Sequence, residues 1–224
     1  MSTVSRPEDD RPADPPSDTR AARKRAAILD AARQVFFAKG YVGTSMDEVA
    51  AVAGVSKQTV YKHFAHKETL FHELITSTVD KAGGSVAGYP ILRGVQPFDE
   101  ELRAFARHLL RGVMQPHVLQ LRRLVIGEAT RFPSLGRTFH DLGLGKTVEA
   151  LSAVLGSLTD DGHLEIDDPQ LAAEHFIWLV LSVPLNRAML LGNDHGVRTR
   201  DLDRYADIGV NTFLSAYARA ARSE

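Results

Sequence analysis

The sequence of 224 residues contains no cysteine, which excludes disulfide bonds, thiolate nucleophiles and thiolate metal sites. Its longest apolar run, residues 176–185, has ten residues, whereas a membrane-spanning helix needs about 20. The first residues lack the apolar core of a secretory signal peptide. We therefore expect a protein that stays in the cytoplasm and does not cross a membrane.

Sequence motifs of common enzyme classes are missing as well. There is no GxSxG, GxxxxGKS/T or GxGxxG pattern, and HEL at 72–74 lacks the second histidine of HExxH. His63, His66 and His72 lie near one another, but His63 falls in a segment to which another role is assigned below. We expect no metal site there, nor at His140 with His175. We predict that the protein is not an enzyme and that it holds no cofactor.

Charge is distributed unevenly along the chain. Residues 1–19, rich in Pro, Asp and Ser, carry two arginines against five acidic residues and are predicted to be a disordered tail. Residues 20–67 carry nine basic against three acidic residues, a net charge of +6. The remainder has a net charge of −4, with sixteen basic and twenty acidic residues. A compact basic block attracts polyanions, while the acidic remainder argues against coating of nucleic acid by the whole protein.

The basic block has the pattern of consecutive helices. Spacings of three and four residues predict an amphipathic helix that ends near Gly40, with its buried face formed by Ile28, Ala31, Ala32, Val35 and Phe36. A short helix follows over 46–53, which Ser45 with Glu48, or Thr44 with Asp47, could cap. Gly54 permits a sharp turn, and Ser56 can cap a second short helix over 56–62.

The rest of the chain is also predicted to be helical. A helix begins at residue 67, residues 83–97 form a loop rich in Gly and Pro, and Pro133 and LGLG at 142–145 interrupt the later series. The later helices are expected at about 98–114, 117–131, 145–158, 169–191 and 201–221. The predicted fold class is all-α. We assign residues 1–19 to the tail, 20–67 to a small basic N-terminal domain, and 68–224 to a larger helical body; the resemblance described below implies DNA binding for the first domain and effector binding and dimerisation for the second.

The segment VSKQTVYKHF, residues 55–64, is very polar for a helix of a folded core. Val60 and Phe64, four residues apart, can anchor one face. In a helix-turn-helix the second helix enters the DNA major groove, where its outward side chains must be polar and of varied reach. Lys57, Gln58 and Thr59 are predicted to read bases. Phosphate contacts are predicted for Thr44, Ser45, Ser56, Tyr61, Lys62, His63 and Lys67.

Residues 28–75 combine an A…F…GY…T run with AGVS at 53–56, YKHF at 61–64 and KETL at 67–70. Together they resemble the DNA-binding region of the TetR family of transcriptional regulators. The resemblance implies a three-helix DNA-binding head, a linking fourth helix, and a helical body that dimerises and binds a small effector. By position, the family's usual DNA contacts fall on the same ten residues. The family typically keeps a small residue or Thr early in the recognition helix; here Gln58 and Thr59 fill that region, which affects the operator sequence.

The body carries a second, shorter resemblance. LRRLVIGEATRFPSLGRTF, residues 121–139, resembles the AefR-like subgroup, mainly through its Glu-Ala-x-Arg-Phe-Pro segment. An effector pocket would be mostly apolar with a few polar groups. Plain core packing is the alternative for each candidate lining residue: Phe71, Leu74, Leu110, Met114, Leu124, Glu128, Phe132, Phe139 and Trp178. For Glu128, a salt bridge with Arg131 is favoured over contact with a cationic ligand.

The apolar segments 169–191 and 201–221 are candidate dimerisation helices. In the first, one face carries Leu171, His175, Trp178, Leu179, Ser182 and Leu185 or Asn186. The sequence leaves open whether this face packs inside one protomer or between two. A homodimer would present two recognition helices to half-sites one helical turn apart, about 34–36 Å. We therefore expect a repressor that binds a palindromic DNA operator as a homodimer and is released by a small, largely apolar effector.

Two other classes of protein remain possible from the residues alone. One is an enzyme, although the motifs of common enzyme classes are missing. The other is a helical small-molecule-binding module without a transcriptional role, which would explain the body and leave residues 44–67 unexplained. Nanomolar binding to a palindromic duplex with a steep dependence on salt would separate a regulator from both.

Overall fold

The structure is a computed structural model that describes residues 17–81, 97–192 and 198–218. The predicted tail up to residue 16 and most of the predicted loop at 83–97 lie outside the described residues. The helices are α1 (Ser17–Gly43), α2 (Met46–Ala53), α3 (Lys57–His63), α4 (Lys67–Lys81), α5 (Phe98–Val113), α6 (Pro116–Glu128), α7 (Pro133–His140), α8 (Lys146–Asp160), α9 (Pro169–Leu191) and α10 (Thr199–Tyr217). Within the described ranges no strand is present, so the all-α prediction is confirmed.

One helix was not predicted. Pro133 was expected to interrupt the series, but it stands in the first turn of α7. Proline suits that position because the first helical N–H groups have no partner within the helix. The Gly-rich segment at 142–145 does not form an open loop either. It lies in a π-helical turn, Asp141–Gly145, which joins α7 directly to α8 and is broken by the non-helical backbone of Gly143 (φ −97°, ψ −108°).

The N-terminal head, α1 to α3, folds around the apolar face of α1 that the sequence predicted. Every predicted residue of the α1 face is buried, and so are Met46, Val49 and Ala50 of α2. Gly54 ends α2 with φ of 65°, and its N–H donates to the carbonyls of Ala50 and Ala51. A side chain at that φ would be strained, so glycine sets the sharp turn between α2 and α3.

The core of the head continues into the body. The cluster of apolar side chains around α1 also contains Leu121 and Val125 of α6 and Leu135 of α7. At its centre Tyr41 stacks on Phe36, with 5.9 Å between ring centroids, and meets Phe71 and Phe132 edge-on at 5.2 and 4.9 Å. Such contacts stabilise beyond area burial alone. The head is therefore seated on α4, α6 and α7 across residue 67, where the domain boundary was placed.

A second apolar cluster forms the centre of the body, between α5, α8, α9 and α10. Close packing of α9 on α10 depends on Gly209, because an added Cβ would lie 3.1 Å from the Leu179 carbonyl. On the outer side of the bundle, Arg107 of α5 makes a bidentate ion pair with Asp207 of α10, at 2.7 and 2.8 Å. None of the described helices is both long and apolar enough to traverse a lipid bilayer.

Candidate nucleic-acid interface

The short helix α3 is held by few apolar contacts and by its own N-cap. Its N-cap is Ser56, whose hydroxyl accepts the Thr59 N–H at 3.1 Å and hydrogen-bonds the Thr59 hydroxyl at 2.8 Å. Val60 is fully buried and Phe64, just past the helix, is 1% exposed. Arg25 of α1 lies 5.2 Å above the Phe64 ring and pairs with Glu73 of α4. Val60 and Phe64 thus fix one face of α3 in the apolar cluster around the head, and the opposite face is exposed.

Three of the predicted DNA contacts are exposed to solvent on this opposite face of α3. Gln58 and Lys62 are exposed, and the Tyr61 ring is 43% exposed. His63 is partly buried, with its ring 6.4 Å from that of Phe64. An amide, a phenol and an ammonium on one short, rigid helix match the donors and acceptors that base edges and phosphates offer.

Lys57 is exposed but paired within the head. Its ammonium lies 2.7 and 2.9 Å from the two carboxylate oxygens of Asp47, at the start of α2. The hydrogen bond from Lys57 to Asp47, together with the charge of that carboxylate, raises the pKa of the Lys57 ammonium. The pair ties the N-terminus of α3 to that of α2. Lys57 must leave Asp47, or share it, before it can contact a base.

The two residues before α2 divide the predicted capping role. Ser45 is the N-cap, and its hydroxyl accepts the Glu48 N–H at 3.2 Å. Glu48 does not complete a capping box, because its carboxylate pairs with Lys39 at 2.5 Å. Thr44 is 4% exposed and donates its hydroxyl to the Gly40 carbonyl at 2.8 Å. The exposed Ser45 is therefore placed for a phosphate contact, whereas the Thr44 side chain faces inward.

Lys67 was predicted to contact DNA, and the structure gives its ammonium other partners. The Nζ donates to the carbonyl oxygens of Tyr41, Thr44 and Val42 at 2.9, 3.1 and 3.4 Å. It also lies 4.7 Å from the centroid of the Tyr41 ring. These carbonyls follow the kink at Gly40 and would otherwise lack helical partners. Lys67 thus closes the C-terminal end of α1 and holds the turn that leads into Ser45.

Comparisons with known proteins bear on both halves of the chain. Residues 28–74 match the family of bacterial regulatory proteins named after TetR, and residues 100–219 match the C-terminal domain of the AefR-like transcriptional repressors. The chain belongs to the TetR family. It is a transcriptional regulator with a helix-turn-helix DNA-binding domain, and not an enzyme.

Relatives in the TetR family share the whole fold or the head alone. A TetR-family regulator of Mesorhizobium loti is 38% identical, with a TM-score of 0.75, over 89% of this chain and 99% of that one. The flavonoid-responsive regulator FrrA is 32% identical, with a TM-score of 0.76, over 89% of this chain and 100% of that one. The activator FasR of Mycolicibacterium smegmatis is 42% identical over 57 residues, which are 25% of this chain and 26% of FasR.

The predicted effector residues scatter over the TetR-type body. Phe139 lines an apolar cavity of about 40 Å³ between α4, α5, α6 and the π-helical turn. Phe71 borders an open groove of about 400 Å³ between α4 and α7. Core packing accounts for most others, because Leu74, Leu124 and Phe132 belong to the cluster around the head, and Leu110 and Met114 to that of the body.

Two of the effector candidates have surroundings that the sequence did not suggest. Trp178 is 50% exposed on the outer side of α9.

Glu128 and Arg131 were expected to pair, but they form no ion pair within the described ranges. Arg131 instead lies over the Phe132 ring, 5.4 Å from its centroid. Glu128 faces Gly40: a Cβ added to that glycine would lie 3.4 Å from the Glu128 Oε1. Burial raises the pKa of Tyr41 to about 12, and the charges of Glu68 and Glu128 add to the effect. Glu128 therefore belongs to the joint between head and body.

The sequence reasoning missed Asp47 and Arg122. Asp47 was considered only as a cap, and its pairing with Lys57 depends on the angle between α2 and α3. Arg122 follows Leu121 on α6 and borders the cavity that Phe139 lines. An arginine in such a helix is ordinary, and no spacing in the sequence marks which of Arg122 and Arg123 turns inward.

Proposed function

We propose that this protein is a ligand-responsive repressor which binds a palindromic DNA operator as a homodimer in the cytoplasm and is released by a small, largely apolar effector. The observation that carries the proposal is the arrangement of α3. Two buried anchors, Val60 and Phe64, and the Ser56 cap hold a seven-residue helix whose other face is polar and exposed. Family membership supports the same reading.

We assign the DNA contacts by the exposure and pairing of each side chain. Gln58 is the base reader, since its amide can bond adenine in a bidentate manner. Lys57 joins it when Asp47 releases the ammonium, and Thr59 acts through its methyl group because its hydroxyl is engaged by Ser56. Ser45, Tyr61, Lys62 and His63 contact phosphates. Ser56, Thr44 and Lys67 position the helices through the internal hydrogen bonds described above.

An exposed apolar face on α9 supports the homodimer. Leu171, Trp178, Leu179 and Val183 are each 40–50% exposed on that helix, and Ile208 of α10 is 52% exposed. Of the residues that the sequence placed on this face, Leu185 is buried inside the protomer, whereas Ser182 and Asn186 are exposed. Exposed apolar side chains gathered on one face are typical of an interaction site. A second copy of the same face would cover them and set the spacing of the two α3 helices.

The packing of the head on the body supports repression that an effector relieves. The head rests on α6 and α7, which also border the cavity and the groove of the body. A ligand that prefers a different position of α6 would shift the two heads and lower DNA affinity by its differential binding to the two states. The name of FrrA, a relative of similar fold, states a response to flavonoids, which supports a small organic effector here. FasR is an activator, so promoter assays must decide the sign of regulation.

Selection of bound duplexes from a random pool tests the proposal. We expect an inverted repeat bound with a Kd of about 10 nM or below near physiological salt, and an affinity that falls steeply as salt increases. Fusion of the selected site to a reporter promoter should lower expression when the protein is present. Enrichment of no sequence, or of a site without two-fold symmetry, would refute the proposal. A rise in expression would refute repression alone.

A further inference from the structure

Arg122 borders the apolar cavity of the body, and one nitrogen of its guanidinium, Nε, is buried without a hydrogen-bond partner in the described part of the chain. The cavity walls are apolar on most sides, from Val79 of α4, Leu109 and Val113 of α5, and Leu144 of the π-helical turn. The guanidinium of Arg122 lies 5.2 Å from the centroid of the Phe139 ring.

A partly buried arginine that has no counter-ion among the described residues is unfavourable for the free protein. Buried charges in proteins are normally paired, since their desolvation costs several kcal/mol. Burial also lowers the pKa of the Arg122 guanidinium, and no acidic group within the described ranges offsets this shift. Stacking on Phe139 compensates for part of the lost hydration, but a ring accepts no conventional hydrogen bond from Nε. The neighbouring Arg123 differs, because it donates to the Ala188 carbonyl.

We propose that Arg122 recognises an anionic group on the effector, and that the effector is therefore an organic acid with an apolar body. The proposal rests on the proposed function, since it names the chemical class of the ligand of that same cavity. A carboxylate or sulfonate would accept a hydrogen bond from the Nε N–H of the guanidinium. The apolar body would then lie between Phe139 and the aliphatic side chains of α4 and α5.

Entry of such a ligand requires the cavity to expand. Its volume of about 40 Å³ is far below the roughly 300 Å³ or more of typical ligand pockets. The wall most suited to move is the π-helical turn, because Gly143 breaks the helix there and Gly143 and Leu144 both line the cavity. Single π-helical turns of this kind are frequent at functional sites.

Arg122 also lies on the helix that carries the head. One residue before it, Leu121 is buried in the cluster around α1, as is Val125 one turn later. At the C-terminal end of the same helix, Glu128 faces Gly40. A ligand that draws Arg122 toward itself would shift α6 and, with it, the contacts that seat the head. The anion site and the DNA-binding surface would then be coupled through one helix.

A matched pair of fluorescent probes tests the assignment on the full-length protein. The anion 1-anilinonaphthalene-8-sulfonate and the uncharged N-phenyl-1-naphthylamine differ by the sulfonate group. We expect the wild type to bind the sulfonate at least about tenfold more tightly than the neutral probe, the gain of a charge-assisted hydrogen bond. Arg122→Met should abolish that preference without weakening the neutral probe. Arg122→Lys should retain part of it, because lysine keeps the charge without the fork geometry.

Arg137→Met is the matched control, since it removes an exposed arginine of α7 outside the cavity. It should leave both affinities at the wild-type values. An equal affinity of the wild type for the two probes would overturn the assignment. So would a sulfonate preference that survives in Arg122→Met, because the probe would then be held elsewhere.

Thermal unfolding without ligand separates recognition from a structural role. Replacing an unpaired buried charge by an apolar side chain should leave the Tm of Arg122→Met unchanged or higher. A clearly lower Tm together with an unchanged probe preference would assign Arg122 to the core and overturn the proposal. The titrations need no DNA. A protein that bound no duplex would therefore refute the proposed function, while the two probes would still decide the role of Arg122.

Discussion

The head and the body of this protein use apolar burial in opposite ways. In α3 two anchors, Val60 and Phe64, seat the helix, and the remaining side chains stay available to a partner. In the body α5, α8, α9 and α10 bury their apolar faces in one shared cluster, and the apolar cavity beside that cluster has a volume of about 40 Å³. The difference indicates where each partner can bind: DNA on the exposed surface of the head, and a small ligand at the cavity in the core of the body.

The largest expected effect comes from removing an anchor of the head. Phe64→Ala should destabilise the protein by about 3–5 kcal/mol, because a fully buried aromatic ring is lost and a cavity remains. DNA binding should be lost as well, because α3 would no longer be anchored to the core of the head. Chemical denaturation and duplex titration measure the two effects.

Tyr61→Ala is the control for that substitution. Its ring is 43% exposed, so stability should change by less than about 0.5 kcal/mol while affinity for every duplex falls. Equal destabilisation by both substitutions would contradict the division of α3 into anchors and contacts.

A second pair of substitutions distinguishes the roles of Lys67 and Lys62, which the sequence predicted to be phosphate contacts alike. Lys67→Ala should cost about 2 kcal/mol of stability, since three carbonyls near the end of α1 lose a charged donor. Lys62→Ala should leave stability unchanged and reduce the slope of log affinity against log salt by about one unit. If Lys67→Ala instead left stability intact and changed only the salt slope, Lys67 would be a phosphate contact after all.

Gln58→Ala tests the base-reading surface. The exposed amide should contribute about 1–3 kcal/mol of discrimination at particular base pairs of the operator. Its loss should therefore relax sequence preference there and leave binding to random duplexes nearly unchanged. Competition titrations with single-base operator variants provide the measurement. Parallel losses on operator and random DNA would remove Gln58 from the base-reading group.

The smallest effect concerns the joint between head and body. Burial lowers the pKa of His117 on α6, and the charges of Arg33 on α1 and Lys81 on α4 add to the shift. A histidine with a lowered pKa in the folded state favours folding when neutral. That contribution is complete above its ordinary pKa of about 6.5 and is lost as pH falls. Wild type should therefore lose more Tm than His117→Gln between about pH 7.5 and 5.5; equal losses would contradict the expectation.

Local patterns were enough to predict most of the head. The turn at Gly54, the Ser56 cap and the buried face of α1 depend on residues within a few positions, and all agree with the structure. The partners of Lys67 and Lys57 could not be predicted in this way. They are carbonyls 23 to 26 positions away and a carboxylate ten positions away, and only the angles between helices bring them near.

The body shows the same limit more strongly. An apolar helical residue can face the core, a cavity or a second protomer with the same spacing, so Leu110, Phe139 and Trp178 were predicted alike. The structure separates them into core, cavity wall and outer face. The inward turn of Arg122 likewise depends on how α6 packs, which one sequence does not encode in any local pattern.

The spacing of the two recognition helices can be measured with the operator obtained by selection. Fluorescence anisotropy would compare that operator with a version carrying five extra base pairs between its half-sites, which rotates one half-site by about half a helical turn. Two α3 helices fixed in one dimer should bind the lengthened operator at least about 100-fold more weakly. Equal affinity for both duplexes would contradict a homodimer that reads two half-sites through α3.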